Sequence, residues 1–123
     1  MTKQVLIVDD EQNIAISVEF LMRREGFDVA VARDGEEGLA AIRTTKPDLV
    51  LLDIMMPKMD GFQVCKAVRA DPQLASVRIL MLTAKGRQAE IEKGLSLGAD
   101  AYIPKPFSTS ELVAKVKELL GLD

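Results

Sequence analysis

Short apolar runs alternate along this chain with longer segments in which apolar side chains recur at helical spacing. Continuous apolar runs are typical of strands buried on both faces of a sheet, and a three-to-four-residue spacing is typical of amphipathic helices. The pattern predicts strands at Gln4–Asp9, Asp28–Ala32, Asp48–Asp53, Val77–Leu82 and Ala101–Ile103. It predicts helices at Asn13–Glu25, Gly35–Thr45, Phe62–Ala70, Gln88–Leu97 and Ser108–Leu120.

Residues that commonly begin or end helices lie at the borders of these segments. Gly26 and Gly98 follow the first and fourth helices, where glycine is a favoured C-terminal cap. Ser108 and Glu111 have the spacing of a capping box at the start of the last helix. Gly94, inside the fourth helix, costs about 1 kcal/mol relative to alanine, which predicts that this helix is the least stable.

The regular alternation of strands and helices favours a parallel sheet with right-handed crossovers. We therefore predict the α/β class, with a flavodoxin-like, doubly wound sheet of five parallel strands in the order 2-1-3-4-5. Five helices would cover its two faces to give a three-layer sandwich. The length of 123 residues is usual for one domain, and no linker is visible, so we predict a single domain over residues 1–123.

Polar residues follow four of the predicted strands at or near their carboxyl ends. Asp9 and Asp10 follow the first apolar run, Asp53 the third, Thr83 the fourth and Lys105 the fifth. Open parallel sheets bind ligands at this edge, so we expect these side chains to converge. Two carboxylates ~4 Å apart repel by about 4 kcal/mol at an effective dielectric constant of about 20, which favours a bound cation. Oxygen ligands suit Mg²⁺ or a similar hard ion.

Each of these residues also has a simpler interpretation. Asp10 could cap the first helix, Asp53 could belong to a turn, Thr83 could cap the fourth helix, and Lys105 could be a solvated loop charge. Because residues of complementary chemistry follow four separate strands, coincidence is the weaker interpretation. The cluster therefore predicts a site for a hard cation and a phosphoryl group.

Composition excludes several classes of function. The formal net charge of -3 argues against direct nucleic-acid binding, which usually needs a basic surface. No apolar stretch approaches the ~20 residues of a membrane span, and we predict a cytoplasmic protein. The chain has no histidine, which excludes a Ser-His-Asp triad and a His-ligated zinc site. The only cysteine, Cys65, cannot form an internal disulfide and is predicted to be a buried small hydrophobe.

Four motifs are distributed over essentially the whole chain: Val8–Glu11, Asp53–Gly61, Thr83–Ala84 and Gly98–Phe107. Together and in this order they resemble one known family, the receiver domain of two-component response regulators. It implies phosphorelay signalling by Mg²⁺-dependent acceptance of a phosphoryl group from a histidine kinase or a His-containing phosphotransfer protein. It implies a module with autodephosphorylation rather than a turnover enzyme, and a downstream effector protein or output domain as its target.

The resemblance also implies roles for the matching positions around the metal. Asp53 would accept the phosphoryl group. Asp10, Asp53 and the backbone carbonyl of Met55 would bind Mg²⁺, and Asp9 would hold the ion through water.

Further positions would contact the phosphoryl group or respond to it. Lys105 would pair with the phosphoryl oxygens, and the Lys105–Pro106 peptide bond would be cis. Thr83 would hydrogen-bond the phosphoryl group, and Tyr102 would move with it. The surface of the fourth helix, fifth strand and fifth helix would then change, and it could form a homodimer.

Three other classes remain as alternatives. An aspartate-nucleophile phosphatase would usually carry a second acid two residues after the nucleophile, where this chain has Met55. A phosphorylation-independent interaction module would tolerate the loss of Asp53. A flavin or nucleotide binder would need a glycine-rich first loop, but residues 9–13 contain no glycine.

Overall fold

The computed structural model describes residues 2–84 and 88–122, except for the side chain of Ala84. Buried strands and amphipathic helices alternate as predicted. The strands are β1 Gln4–Val8, β2 Asp28–Ala32, β3 Leu49–Asp53, β4 Arg78–Ala84 and β5 Ala101–Lys105. The α-helices are α1 Gln12–Arg24, α2 Gly35–Thr45, α3 Gly61–Arg69, α4 Gln88–Ser96 and α5 Thr109–Leu119.

The strands form one parallel sheet in the order β2-β1-β3-β4-β5, which confirms the predicted topology. Alternate residues of the central strand β3 point to opposite faces. Val50 and Leu52 join a core cluster with residues of α2 and α3, and Leu49 and Leu51 join a second cluster with residues of α1 and α5. The sheet is therefore the middle of three layers, and its carboxyl edge is held from both sides.

Two strands are longer than predicted. Thr83 pairs in register with Pro104, and Ala84 pairs with Lys105, so β4 and β5 continue past the ends of their apolar runs. A proline is tolerated there because β5 is an edge strand and needs hydrogen bonds on one side only. Thr83 and Lys105 consequently belong to strands rather than to the loops that follow, which fixes their backbones.

The predicted helix ends are mostly confirmed. Ser108 and Glu111 form a reciprocal capping box at the start of α5. Gly26 and Gly98 have φ angles of 94° and 110°, a region that favours glycine. A short 3₁₀-helix at Pro72–Leu74, not predicted from the sequence, follows α3.

Two further expectations concern burial and membranes. Cys65 is fully buried between α3 and the end of α4, and burial raises the pKa of its thiol. In the described part of the chain, no helix combines the length and apolarity that a bilayer crossing requires.

Candidate functional site

The carboxyl ends of β1, β3 and β5 bring together two buried aspartates and one ammonium group. Lys105 Nζ lies 3.3 Å from Asp53 Oδ1 and 3.4 Å from Asp9 Oδ2. Asp9, Asp53 and the exposed Asp10 each offer a carboxylate oxygen within 4.8 Å of the other two. The predicted convergence of these four side chains is therefore present in the structure.

The backbone of Asp53 is held by the start of α3. The Gly61 N–H donates to the Ile54 carbonyl oxygen over 2.8 Å. A Cβ at Gly61 would overlap the Asp53 carbonyl oxygen, so glycine is needed for this close approach. The end of β3 is thereby fixed against a helix terminus.

The carboxylate of Asp9 is oriented by its own loop. Its Oδ1 accepts the Glu11 N–H over 2.9 Å, while Oδ2 faces Lys105. The Asp9 N–H donates to the Ala32 carbonyl over 3.2 Å, which extends the β1–β2 ladder by one residue. Asp9 is only 1% exposed, and its charge acts on Asp53 with little screening by solvent.

The electrostatics of the site are dominated by excess negative charge. Burial raises the pKa of Asp53 to about 6, and the nearby Asp9 carboxylate adds to the rise while Lys105 opposes it. Burial by itself would lower the pKa of Lys105, but the carboxylates of Asp53, Asp9 and Glu11 raise it overall. One ammonium therefore serves three carboxylates, a balance that a divalent cation would correct.

Thr83 has a buried hydroxyl group without a hydrogen-bond partner among the described residues. Its side chain is 1% exposed, and within the described residues its Oγ1 forms no hydrogen bond. A buried polar group without a partner costs about 1–3 kcal/mol. Thr83 stands at the carboxyl end of β4, one position beyond Leu82, the register partner of Asp53.

Two predicted residues lie outside the cluster of charged side chains. Met55 is 69% exposed and lines a cavity of about 630 Å³ together with Asp53 and Lys105. Tyr102 is 38% exposed and lines a separate surface groove with Leu95. Asp53 therefore lies on the wall of a cavity, and the groove lies on the face formed by α4, β5 and α5. The Lys105–Pro106 peptide bond is cis.

Glu11 is a site residue to which the sequence assigned no role. Its Oε1 lies 3.4 Å from Lys105 Nζ, although its side chain is largely exposed. Glu11 is the N-cap residue of α1, yet its side chain forms no capping hydrogen bond. Glutamate is not among the preferred N-cap residues, and this was the one available signal in the sequence.

The donor set fits a hard divalent cation. The three aspartates supply carboxylate oxygens on one small patch, and nitrogen or sulfur ligands are absent from this described cluster. Such a set suits Mg²⁺, which usually takes one or two carboxylates and keeps several waters. The unpartnered Thr83 hydroxyl and the Lys105 ammonium are suited to an anionic ligand beside the metal.

Comparison with known proteins agrees with this geometry. The family model for the response regulator receiver domain matches residues 5–117. The chain therefore belongs to the receiver domains of two-component response regulators, which signal through phosphorylation. Among curated proteins it is 48% identical over 120 residues to the alkaline phosphatase synthesis transcriptional regulatory protein PhoP of Bacillus subtilis (strain 168), covering 98% of this chain and 49% of PhoP. The chain spans about half the length of the curated relatives it matches.

Solved structures give the same class. The chemotaxis response regulator CheY4 of Vibrio cholerae has a TM-score of 0.91 and 33% identity, covering 97% of this chain and 99% of that chain. The receiver domain of sensor histidine kinase PA1611 from Pseudomonas aeruginosa PAO1, determined with a magnesium ion coordinated in the active site cleft, has a TM-score of 0.90 and 27% identity, covering 98% of this chain and 99% of that chain.

Proposed function

We propose that residues 1–123 act as one receiver domain that accepts a phosphoryl group on Asp53 in a Mg²⁺-dependent reaction. The donor would be a phosphohistidine of a histidine kinase or a phosphotransfer protein, since this chain has no histidine of its own. The observation that carries the proposal is the placement of the Asp53 carboxylate, 3.3 Å from Lys105 and on the wall of a cavity of about 630 Å³.

Asp10, Asp53 and the Met55 carbonyl would hold Mg²⁺, with Asp9 contributing through a water molecule. When bound, the ion would neutralise the carboxylates and the charge on the transferred oxygens. The PA1611 receiver domain, with its coordinated magnesium, supports this choice of ion.

The chemical step needs a placed nucleophile and neutralised oxygens. An oxygen of Asp53 would attack phosphorus, and the P–N bond of the phosphohistidine would break, with its electron pair going to the imidazole nitrogen. Lys105 would pair with a phosphoryl oxygen. No general base is needed, because a carboxylate with a pKa of about 6 is mostly ionised at pH 7. The product is a labile acyl phosphate whose hydrolysis would end the signal.

The new charge would be read out through Thr83. Its unpartnered hydroxyl would donate to a phosphoryl oxygen, and Tyr102 would move inward as the end of β4 shifts. The surface formed by α4, β5 and α5 would then change its affinity for a downstream effector, an output domain or a second copy of the chain.

Intact-mass measurement after incubation with acetyl phosphate tests the proposal. Wild type should gain one phosphoryl group with Mg²⁺ and little without it, and Asp53→Asn should gain none. Asp28→Asn, which removes an exposed aspartate at the start of β2, is the matched control and should behave as wild type. Phosphate addition that survives Asp53→Asn would refute the assignment. Continued turnover of a small phosphate ester would favour a phosphatase.

Thr83→Ala tests the readout separately. The variant should still be phosphorylated, but the NMR shifts that beryllium fluoride produces around Tyr102 should be much smaller than in wild type. Equal shifts in the two proteins would remove Thr83 from the readout.

A further inference from the structure

Lys105 has a third carboxylate partner in addition to the two aspartates. The distances from Nζ to Asp53, Asp9 and Glu11 are 3.3, 3.4 and 3.4 Å, so the ammonium is shared almost evenly. The three partners differ in exposure. Asp9 and Asp53 are buried, whereas the side chain of Glu11 is 61% exposed.

Glu11 is the N-cap residue of α1, but its side chain contacts Lys105 instead of capping the helix. The first turn of a helix has free N–H groups, and a side chain at the N-cap usually accepts from one of them. Glu11 occupies that position without capping, and its carboxylate is directed to Lys105. Its own N–H donates to Asp9, which fixes the backbone from which the side chain extends.

We propose that Glu11 is a positioning residue that holds Lys105 in the resting state and competes with the phosphoryl group for it. This inference rests on the proposed function. A metal ion would bind Asp53 directly and Asp9 through water. Phosphorylation would make one Asp53 oxygen the bridging oxygen of an acyl phosphate. Glu11 stands outside the donor set assigned to the metal. The attraction of Lys105 to the Glu11 carboxylate opposes its movement toward a phosphoryl oxygen, so the pair lowers the apparent affinity of the site for such an anion.

Beryllium trifluoride, added with saturating Mg²⁺ and followed by amide NMR shifts, provides the measurement. In Glu11→Gln the competing charge is lost, and the dissociation constant should fall by about 1.5- to 5-fold, as expected for an exposed ion pair. The difference from wild type should shrink as salt is raised, because salt screens exposed pairs. A change in α1 packing alone would not depend on salt in this way.

Two further variants test whether the effect comes from the contact of Glu11 with Lys105 or from any negative charge on the surface. Glu11→Asp keeps the charge, but its shorter side chain is a preferred N-cap and should turn to the N–H groups of α1, so it should also bind beryllium trifluoride more tightly. Glu36→Gln removes an exposed carboxylate on α2 and should bind as wild type does.

Three results would overturn the inference: unchanged affinity in Glu11→Gln, weaker binding in Glu11→Gln, or wild-type affinity in Glu11→Asp. If wild type itself does not bind beryllium trifluoride in an Asp53-dependent way, the proposed function fails together with the inference. If wild type binds and the Glu11 variants do not differ from it, the inference alone fails.

Discussion

The two ends of the sheet each carry a polar cluster, one with a single carboxylate between two arginines and the other with several carboxylates around one lysine. At the amino end, Asp100 Oδ2 accepts from Arg69 Nη2 and from the Ile79 N–H, both over 2.8 Å, and Oδ1 lies 3.8 Å from Arg78. At the carboxyl end, Lys105 is the one cation that the described residues place against three carboxylates, at 3.3–3.4 Å.

This difference separates a structural polar cluster from a binding site. The amino end joins α3, β4 and the loop before β5 through short hydrogen bonds, and Arg69 Nε adds a bond to the Gly98 carbonyl. Among the buried side-chain atoms of the described residues, only Arg69 Nη1 has no acceptor there. In the described part of the chain, the carboxyl end has an excess of acceptors, and the Thr83 hydroxyl has no hydrogen-bond partner. Among the described residues, nearly all buried polar side-chain atoms at the amino end are paired. The carboxyl end needs bound ligands to pair its carboxylates and the Thr83 hydroxyl.

The largest expected effect on stability comes from disrupting the Asp100 cluster at the amino end. Asp100→Asn removes the charge that Arg69 faces and weakens two short hydrogen bonds, so it should lower the free energy of unfolding by about 2–4 kcal/mol. Urea denaturation measures this directly. A loss below about 0.5 kcal/mol would mean that the two clusters are energetically alike.

At the carboxyl end, bound Mg²⁺ should compensate the excess negative charge. Mg²⁺ at about 100 times its dissociation constant should stabilise wild type by about 2.7 kcal/mol through mass action. Asp10→Asn, which removes a predicted ligand, should lose most of this gain. Equal thermal shifts in the two proteins would show that Mg²⁺ acts elsewhere.

Without metal, Asp53→Asn should have the opposite sign from Asp100→Asn. The folded-state pKa of Asp53 is raised to about 6, so its ionised form destabilises the fold. Removing the charge should therefore raise the free energy of unfolding at pH 7 by about 1–2 kcal/mol, a discounted conversion of that shift. A destabilised Asp53→Asn protein would contradict the contrast between the two ends.

The pH dependence of this gain follows from the same pKa. The unfolded carboxyl has a pKa of about 3.9, so below pH ~4 Asp53 is protonated in both states and the variant has no advantage. Its advantage should appear as the pH rises through the window between about 4 and 6 and stay constant above it. Denaturation of both proteins across this range, in a chelating buffer, checks the direction.

The smallest effect concerns α4, which lies between the two ends. A Cβ at Gly94 would be 3.4 Å from Met81 Cε, an ordinary contact, so Gly94→Ala should stabilise the protein by about 0.5–1 kcal/mol. Gly98→Ala is the control: φ is 110°, and the new Cβ would crowd Arg69 Cγ, so this variant should be less stable. Stabilisation by both would show that the α4 ends are not constrained as described.

The strand order and most of the carboxyl-end cluster could be predicted because both follow from local patterns. Continuous apolar runs specified buried strands, and the topology then brought Asp9, Asp53 and Lys105 to one edge. The ends of β4 and β5 could not be located in this way, because Thr83 and Pro104 are held in the ladder by pairing with each other rather than by their own propensity.

Other features depend on contacts between distant residues. Asp100 looks like a turn residue in the sequence, but its partner Arg69 is 31 positions away on another element. That the Thr83 hydroxyl finds no partner among the described residues depends on how distant segments pack around it. The contact between Glu11 and Lys105 spans 94 positions, and only a poor N-cap residue indicated it.

Pro104 in β5 has a consequence for how partners can approach. Exposed edge strands can recruit a further strand through their free N–H and C=O groups, which leads to open-ended association. Pro104 interrupts the row of N–H donors along the outer side of β5, so that edge is a poor template for strand addition. A protein that recognises the face around Tyr102 must therefore read side chains, whose positions can change with the state of the site, rather than a backbone edge that stays the same.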